Sequence, residues 1–190
     1  MKNLRKTRIV LASQSPRRKQ LLSLLNVNFE IIVADIDEKI NPNNDLVKEI
    51  EKLSYQKANA VFINNQDALV IGADTIVKID NQVLGKPKSI EHAKQMLRML
   101  SGNTHDVVTG VTILTNNSVE TFSQIAKVTF YPLTDEEIDE YVATNEPMDK
   151  AGSYAIQGIG SKFIKSIDGD YYTIMGLPIG EVYHRLLKYL

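Results

Sequence analysis

Four polar residues around one proline have the character to handle phosphate. Ser13, Ser15, Arg17 and Arg18 flank Pro16 in the run IVLASQSPRRKQLLSLL, residues 9–25. Ile9, Val10 and Leu11 are β-formers, while Leu21, Leu22, Leu24 and Leu25 recur at helical spacing, so the run predicts a strand, a tight turn and a helix. Ser15 is a good N-cap, and Pro16 suits the first helical position because an N–H there would have no intrahelical partner. A helix start leaves unpaired N–H groups and a partial positive charge, which favour anions and phosphates above all. The hydroxyls of Ser13 and Ser15 and the guanidinium groups of Arg17 and Arg18 add to that preference. The same residues also describe an ordinary capped helix with solvated arginines. Neither a P-loop lysine motif nor a GxGxxG turn occurs, so the standard nucleotide loops are absent.

Asp74 is the second candidate, set in IGADTIV, residues 71–77, between two apolar runs and close to a glycine. Burying an unpaired carboxylate is expensive, so Asp74 faces a cleft, a cation or a metal, or else caps a turn at a strand edge. Lys57 falls in the last third of a predicted helix, where a lysine is ordinarily solvated. The three histidines, His92, His105 and His184, show no ligand spacing, and there is no cysteine. Disulfides, thiolate metal sites and Cys nucleophiles are thereby excluded, and zinc chemistry is disfavoured.

Lys and Arg number 22 against 23 Asp and Glu, a net charge of −1, which lacks the basic excess of a nonspecific nucleic-acid binder. A local patch of Arg5, Lys6, Arg8, Arg17 and Arg18 remains, without an aromatic platform for stacking bases. The apolar run after the basic start covers only residues 9–12, too short for a signal-peptide core, and no segment reaches membrane-spanning length. The expectation is a soluble, cytoplasmic protein with no nucleic-acid or membrane partner.

The elements that must position these groups read as alternating strands and helices. Strands are predicted over 9–11, 29–34, 68–77, 83–84, 107–114 and 119–131, and helices from Pro16, over 45–62, from Ser89 to a stop at Gly102, and from the Thr134/Glu137 capping box to about residue 143. Turns at Asp80–Asn81 and Asn116–Asn117 predict hairpins, so the sheet is mixed rather than parallel throughout. Segment 146–160 reads as a loop that brackets something. A last hairpin is expected from 163–167 and 171–174, followed by a helix from Pro178 that buries Val182, Leu186 and Leu187. No repeat or linker interrupts the chain, which reads as one domain over 1–190.

In this order the chain resembles the Maf family of nucleoside triphosphate pyrophosphatases, also called septum-formation inhibitor proteins. The matching motifs are LASQSPRR (11–18), IGADTIV (71–77), LGKP (84–87), LSGNTHDVVTGV (100–111), DKAGSYAIQG (149–158) and GLP (176–178). The resemblance implies an α/β fold like that of inosine triphosphatases, a mixed twisted sheet flanked by helices with two lobes around a cleft, usually as a homodimer. It further implies hydrolysis of a nucleoside triphosphate to the monophosphate and pyrophosphate, with a divalent cation, Mg²⁺ or Mn²⁺. DKAGSYAIQG looks like the branch acting on dTTP and UTP.

By the same resemblance, Ser13, Arg17 and Arg18 hold phosphate oxygens, and Lys57 and Lys86 stabilise the leaving pyrophosphate. Asp74 aligns with the family's proton acceptor, and Glu38 aligns with an acidic residue that would share the metal with it. Base selection maps to Arg17, Thr75 and Gln157, and the amide of Gln157 has the donor and acceptor that pair with N3–H and O4 of thymine or uracil. The alternative is a nucleotide-binding regulator of cell division without significant catalysis.

Overall fold

A computed structural model describes residues 7–33, 36–41 and 44–189. Expectations for Arg5, Lys6, Ala34, Asp35, Pro42 and Asn43 lie outside the described residues. The strands are β1 (Ile9–Leu11), β2 (Phe29–Ile31), β3 (Leu69–Ile79), β4 (Gln82–Leu84), β5 (Thr104–Leu114), β6 (Val119–Phe130) and β7 (Ile164–Asp168). They form a mixed seven-stranded sheet in the order β2-β1-β3-β5-β6-β7, with β4 paired to β3. The expected α/β class and mixed sheet are what the chain adopts. Contacts divide it into two compact units: Met1–Asp74, Thr109–Gln124 and Gly176–Leu190 form the first, Thr75–Val108 and Ile125–Met175 the second.

In the first unit β1 lies parallel between β2 and β3, with Ile9 opposite both Phe29 and Leu69. Ile9, Val10 and Leu11 are buried on both faces, which is why this strand is uniformly apolar rather than alternating. Helix α1 (Pro16–Ser23) starts at Pro16 with Ser15 as N-cap, as its sequence predicts. Helix α2 (Leu46–Phe62) is capped by the Asp45 carboxylate, which accepts from the N–H groups of Val47 and Lys48. Its Ala58 and Val61 pack with Val10, Ala12, Ala68, Val70 and Leu114.

Two glycines set how close α2 comes to the sheet. A Cβ on Gly72 would lie 2.4 Å from the Ser54 carbonyl oxygen and 2.6 Å from the Ala58 nitrogen, and one on Gly110 would lie 2.7 Å from Ile50 Cγ2. The helix therefore rests almost on the strand backbone. Ser54 Oγ also shares a hydrogen bond with Thr112 Oγ1 at 2.8 Å, buried, and Thr112 pairs in turn with Thr121 across β5 and β6 at 2.9 Å.

In the second unit β4 runs antiparallel to the end of β3, Val77 facing Leu84, after a turn in which Asp80 adopts φ +50°. Helix α3 (Ile90–Leu100) is capped by Ser89 and buries Ala93, Met96, Leu97 and Leu100, while Ile90 stays exposed. Gly102, at φ +69°, makes the stop. Helix α4 (Asp135–Ala143) has both hydrogen bonds of the Thr134/Glu137 capping box. The rings of His105, Phe130, Tyr154, Phe163 and Tyr141 meet mostly edge to face, at centroid separations from 4.9 to 6.2 Å.

Some expectations need correction. The last hairpin is absent: β7 pairs with β6, and Tyr171–Met175 is instead a short helix, α5. Asp170 Oδ2 accepts from the Thr173 N–H at 2.7 Å and from its hydroxyl at 2.8 Å, a capping arrangement that overrides the β-preference of Tyr171, Tyr172 and Thr173. Segment 146–160 contains 3₁₀ turns at Glu146–Asp149 and Ala151–Ser153, followed by one at Ile159–Phe163. The C-terminal helix α6 (Ile179–Leu186) buries Val182 and Leu186, but Leu187 has left it for a 3₁₀ turn and is 37% exposed. Strand β2 ends at Ile31, and α1 ends before Leu24, which is exposed.

Filling the contact at Gly72 should be costly. Gly72→Ala is expected to lower stability by about 1–3 kcal/mol, read as a lower urea midpoint with an unchanged slope.

Candidate functional site

The first unit brings five of the sequence candidates into contact. Side chains alternate along a strand, so Gly72 and Asp74 share the face of β3 on which α2 lies. Gly72 admits the helix backbone, and Asp74, two residues on, meets the helix's lysine. Lys57 Nζ donates to Asp74 Oδ1 at 2.8 Å and makes an ion pair with Glu38 Oε1 at 2.9 Å. The Lys57 and Asp74 side chains are 9% and 12% exposed, whereas that of Glu38 is 49% exposed. Lys57 is thus a buried, doubly paired ammonium, not the solvated lysine its helical position suggests.

Arg18 completes the group from the opposite element. Its Nε donates to the Gly176 carbonyl at 2.8 Å, its Nη1 donates to Ser13 Oγ at 3.2 Å, and its Nη2 lies 3.9 Å from Asp74 Oδ1. Ser13 Oγ also accepts from the Ser15 N–H at 3.2 Å, so the hydroxyl is fixed between the strand end and the helix start. Burial pushes the Arg18 guanidinium down from its ordinary value; Asp74 opposes that, Arg17 adds to it and Glu38 opposes it. Arg17 is half-buried on the same first turn. The cluster holds two carboxylates against two deeply placed cations, close to local neutrality. The Gly176 carbonyl has no sequence signature beyond its GLP motif, since any residue supplies a carbonyl.

The remaining candidates belong to the second unit. Thr75 follows Asp74 on β3 and is half-buried; Lys86 is exposed just after β4; Gln157 is exposed on the turn after Ser153. The Gly152 N–H donates to the Gly85 carbonyl at 3.2 Å, which ties the segment leading to Gln157 to the segment carrying Lys86. Gly152 needs its freedom: at φ +69° its Cβ would sit 2.8 Å from Val77 Cγ2.

Three residues escaped the sequence reading. Tyr141 and Glu146 hold the turn around Gln157 through hydrogen bonds, and His105 Nε2 meets the Tyr154 hydroxyl at 2.9 Å. His105 Nδ1 has no hydrogen-bond partner among the described residues, and burial lowers the imidazole from 6.5 to about 4. A lone histidine in an apolar strand signals burial, but its tyrosine partner lies far along the chain.

A divalent cation suits this donor set in one way only. Glu38 and Asp74 converge on the same ammonium and offer hard carboxylate oxygens, the type Mg²⁺ and Mn²⁺ take. Among the described residues no group of three or more His, Cys, Asp or Glu side chains is arranged to hold a metal. The two carboxylates fit a cation that draws its other ligands from phosphate and water. No helix among the described residues is long and apolar enough to cross a membrane.

Fold and site together define an α/β protein with an anion-favouring helix start beside a buried carboxylate–ammonium centre. The chain belongs to the Maf family, whose sequence profile, described as Maf-like protein, matches residues 8–189. A dTTP/UTP pyrophosphatase of Bacillus cereus (strain B4264) is 50% identical over 96% of this chain and 95% of its own. A protein of the same name from Bacillus anthracis is equally similar, at 50% identity over 96% and 95%. The Staphylococcus aureus Ham1 protein structure aligns over 83% of this chain and 80% of its own, with a TM-score of 0.48 and 14% identity.

Two outcomes follow from these charges. Lys57→Met leaves Asp74 and Glu38 without their shared cation and should cost about 3–5 kcal/mol at neutral pH, measured by urea unfolding. His105 takes up a proton near 6.5 in the unfolded chain but only near pH 4 when folded. Stability should therefore fall as pH drops from 6.5 towards 4, by about 3 kcal/mol in all, and His105→Leu should remove that part of the pH dependence of the unfolding midpoint.

Proposed function

We propose that this protein hydrolyses dTTP and UTP to the monophosphate and pyrophosphate. The observation that carries the reading is the buried Asp74 carboxylate, held by Lys57 and faced by Arg18 beside the α1 start. Similarity to the Bacillus dTTP/UTP pyrophosphatases along almost the whole chain supports the choice of substrate.

In this reading water attacks the α-phosphorus, the bond from that phosphorus to the bridging oxygen breaks, and pyrophosphate leaves. Asp74 accepts the water proton; Lys57 ties down its Oδ1, which orients the carboxylate and leaves Oδ2 to take the proton. Ser13, Arg17 and the α1 N–H groups bind phosphate oxygens, and Arg18 braces Ser13 and Asp74 while adding positive charge. Lys57 and Lys86 stabilise the charge that gathers on the leaving pyrophosphate, each charge-assisted contact contributing about 1.5–3 kcal/mol. Glu38 and Asp74 would hold Mg²⁺ or Mn²⁺, which when bound neutralises phosphate charge. Thr75 and Gln157 select the base. Most of the catalysis in such a scheme is positioning and charge neutralisation rather than covalent chemistry. A homodimer, a cytoplasmic location and a part in septum formation belong to the same proposal, on the strength of family membership.

The direct test is pyrophosphate release from a panel of nucleoside triphosphates with Mg²⁺ or Mn²⁺. Release from dTTP and UTP is expected, reduced about 10²–10⁴-fold in Asp74→Asn with substrate binding largely kept. A variant with a near-native rate would remove Asp74 from its role, and no release from any nucleotide by the native protein would overturn the activity.

A further inference from the structure

The turn that carries Gln157 is fastened on both sides to one pair of side chains. Tyr141, fully buried on α4, accepts the Ala155 N–H at 3.2 Å and donates its hydroxyl proton to Glu146 Oε1 at 2.8 Å. Glu146 then accepts the Ile159 N–H through Oε2 at 3.0 Å and the Gly160 N–H through Oε1 at 3.1 Å. Gln157 lies midway between the tethered residues, with its side chain exposed. Within the turn, the Gly158 N–H reaches back to the Ala155 carbonyl at 3.3 Å.

The fit is specific to this backbone. A Cβ on Gly158 would lie 2.4 Å from Glu146 Oε2, and one on Gly160 would lie 2.7 Å from the Tyr141 hydroxyl. The carboxylate and phenol thus occupy the space that side chains at 158 and 160 would fill. Three donors converge on Glu146, a demand that a carboxylate meets with two acceptor oxygens and an amide does not. Burial pushes the Glu146 carboxyl up, but the N–H groups of Ile159 and Gly160, the Tyr141 hydroxyl and Lys150 outweigh it, so it stays ionised near neutral pH. All of these contacts lie within the second unit. Their effect is to tie the backbone on both sides of Gln157 to the Tyr141 and Glu146 side chains.

We propose that Glu146, acting with Tyr141, is a positioning residue for base selection: it fixes the 155–160 backbone so that the Gln157 amide presents its donor and acceptor to the base in one orientation. The inference rests on Gln157 reading the base, as described under the proposed function. It assigns Glu146 no contact with substrate. An amide edge discriminates uracil from cytosine only while its orientation is held, because rotation exchanges donor for acceptor. Loss of the tether should therefore erode the preference between bases more than the rate of hydrolysis.

The experiment compares kcat and KM for UTP and CTP in the native protein, Glu146→Gln, Tyr141→Phe, Gln157→Ala and the Glu146→Gln/Gln157→Ala double variant. Glu146→Gln keeps the shape but sets an NH₂ against a backbone N–H. The UTP to CTP ratio of kcat/KM is expected to fall about fivefold or more, with the loss in KM for UTP, and Tyr141→Phe is expected to move it in the same direction. In the Gln157→Ala background the same Glu146→Gln change should leave the ratio within about twofold, because the tether then has no reader to hold. A ratio unchanged in both single tether variants, or an equal fall with and without Gln157, overturns the proposal; if Glu146→Gln does not fold, Tyr141→Phe decides. Gln157→Ala with native selectivity would overturn the reading of Gln157 and this inference with it, whereas a native protein inactive on every nucleotide would mark failure of the activity itself.

Discussion

The first unit is built around one electrostatic constraint, a carboxylate inside a sheet that cannot remain there alone. Moving an isolated carboxylate from water into a protein interior costs several kcal/mol even after relaxation. Asp74 is tolerated because Lys57 arrives from α2 and Arg18 from α1. Each of those cations makes demands of its own. Lys57 requires α2 close to β3, hence Gly72 and Gly110; Arg18 requires a capped helix start, Ser13 beneath it and the Gly176 carbonyl at the head of the C-terminal segment. Parts of the chain far apart in sequence are thus held in register by one negative charge.

The second unit works by different physics. Its core contains a cluster of rings, with His105 kept neutral among Phe130 and Tyr154, and two of its candidate substrate residues, Lys86 and Gln157, sit on segments fixed by hydrogen bonds rather than ion pairs. Charge placement in the first unit and backbone fixation in the second suit the two tasks proposed for them. Phosphate chemistry needs concentrated, correctly signed charge, whereas telling one base from another needs a donor and an acceptor that do not rotate.

Much of this was legible in the sequence because it is local. The Ser15/Pro16 helix start, the Ser89 cap, the Thr134/Glu137 capping box and the turns at Asp80 and Asn116 each depend on neighbours within a few positions, and all appear where expected. The error at 171–174 is instructive for the same reason. Tyr171, Tyr172 and Thr173 carry strand preferences, but Asp170 offers a cap that a propensity count does not weigh. What the sequence withheld was pairing across distance: Lys57 looked like any helix lysine, and nothing marked Glu146 as the residue that fastens Ile159 and Gly160. Family resemblance pointed to Lys57 and Gln157 as residues of interest, without saying what holds either in place.

The contact at Gly72 also decides how the charged centre responds to changes in the core around it. Where two elements are separated by interlocking side chains, each apolar substitution resets the spacing a little, and any group carried on one of them moves too. Here α2 rests on the strand backbone, so the distance from its ammonium to the carboxylate is set by main-chain contact rather than by the size of intervening side chains. Changes of size at the apolar positions around it, Val10, Val61, Val70 and Leu114 among them, should therefore cost packing energy while displacing the charged centre little.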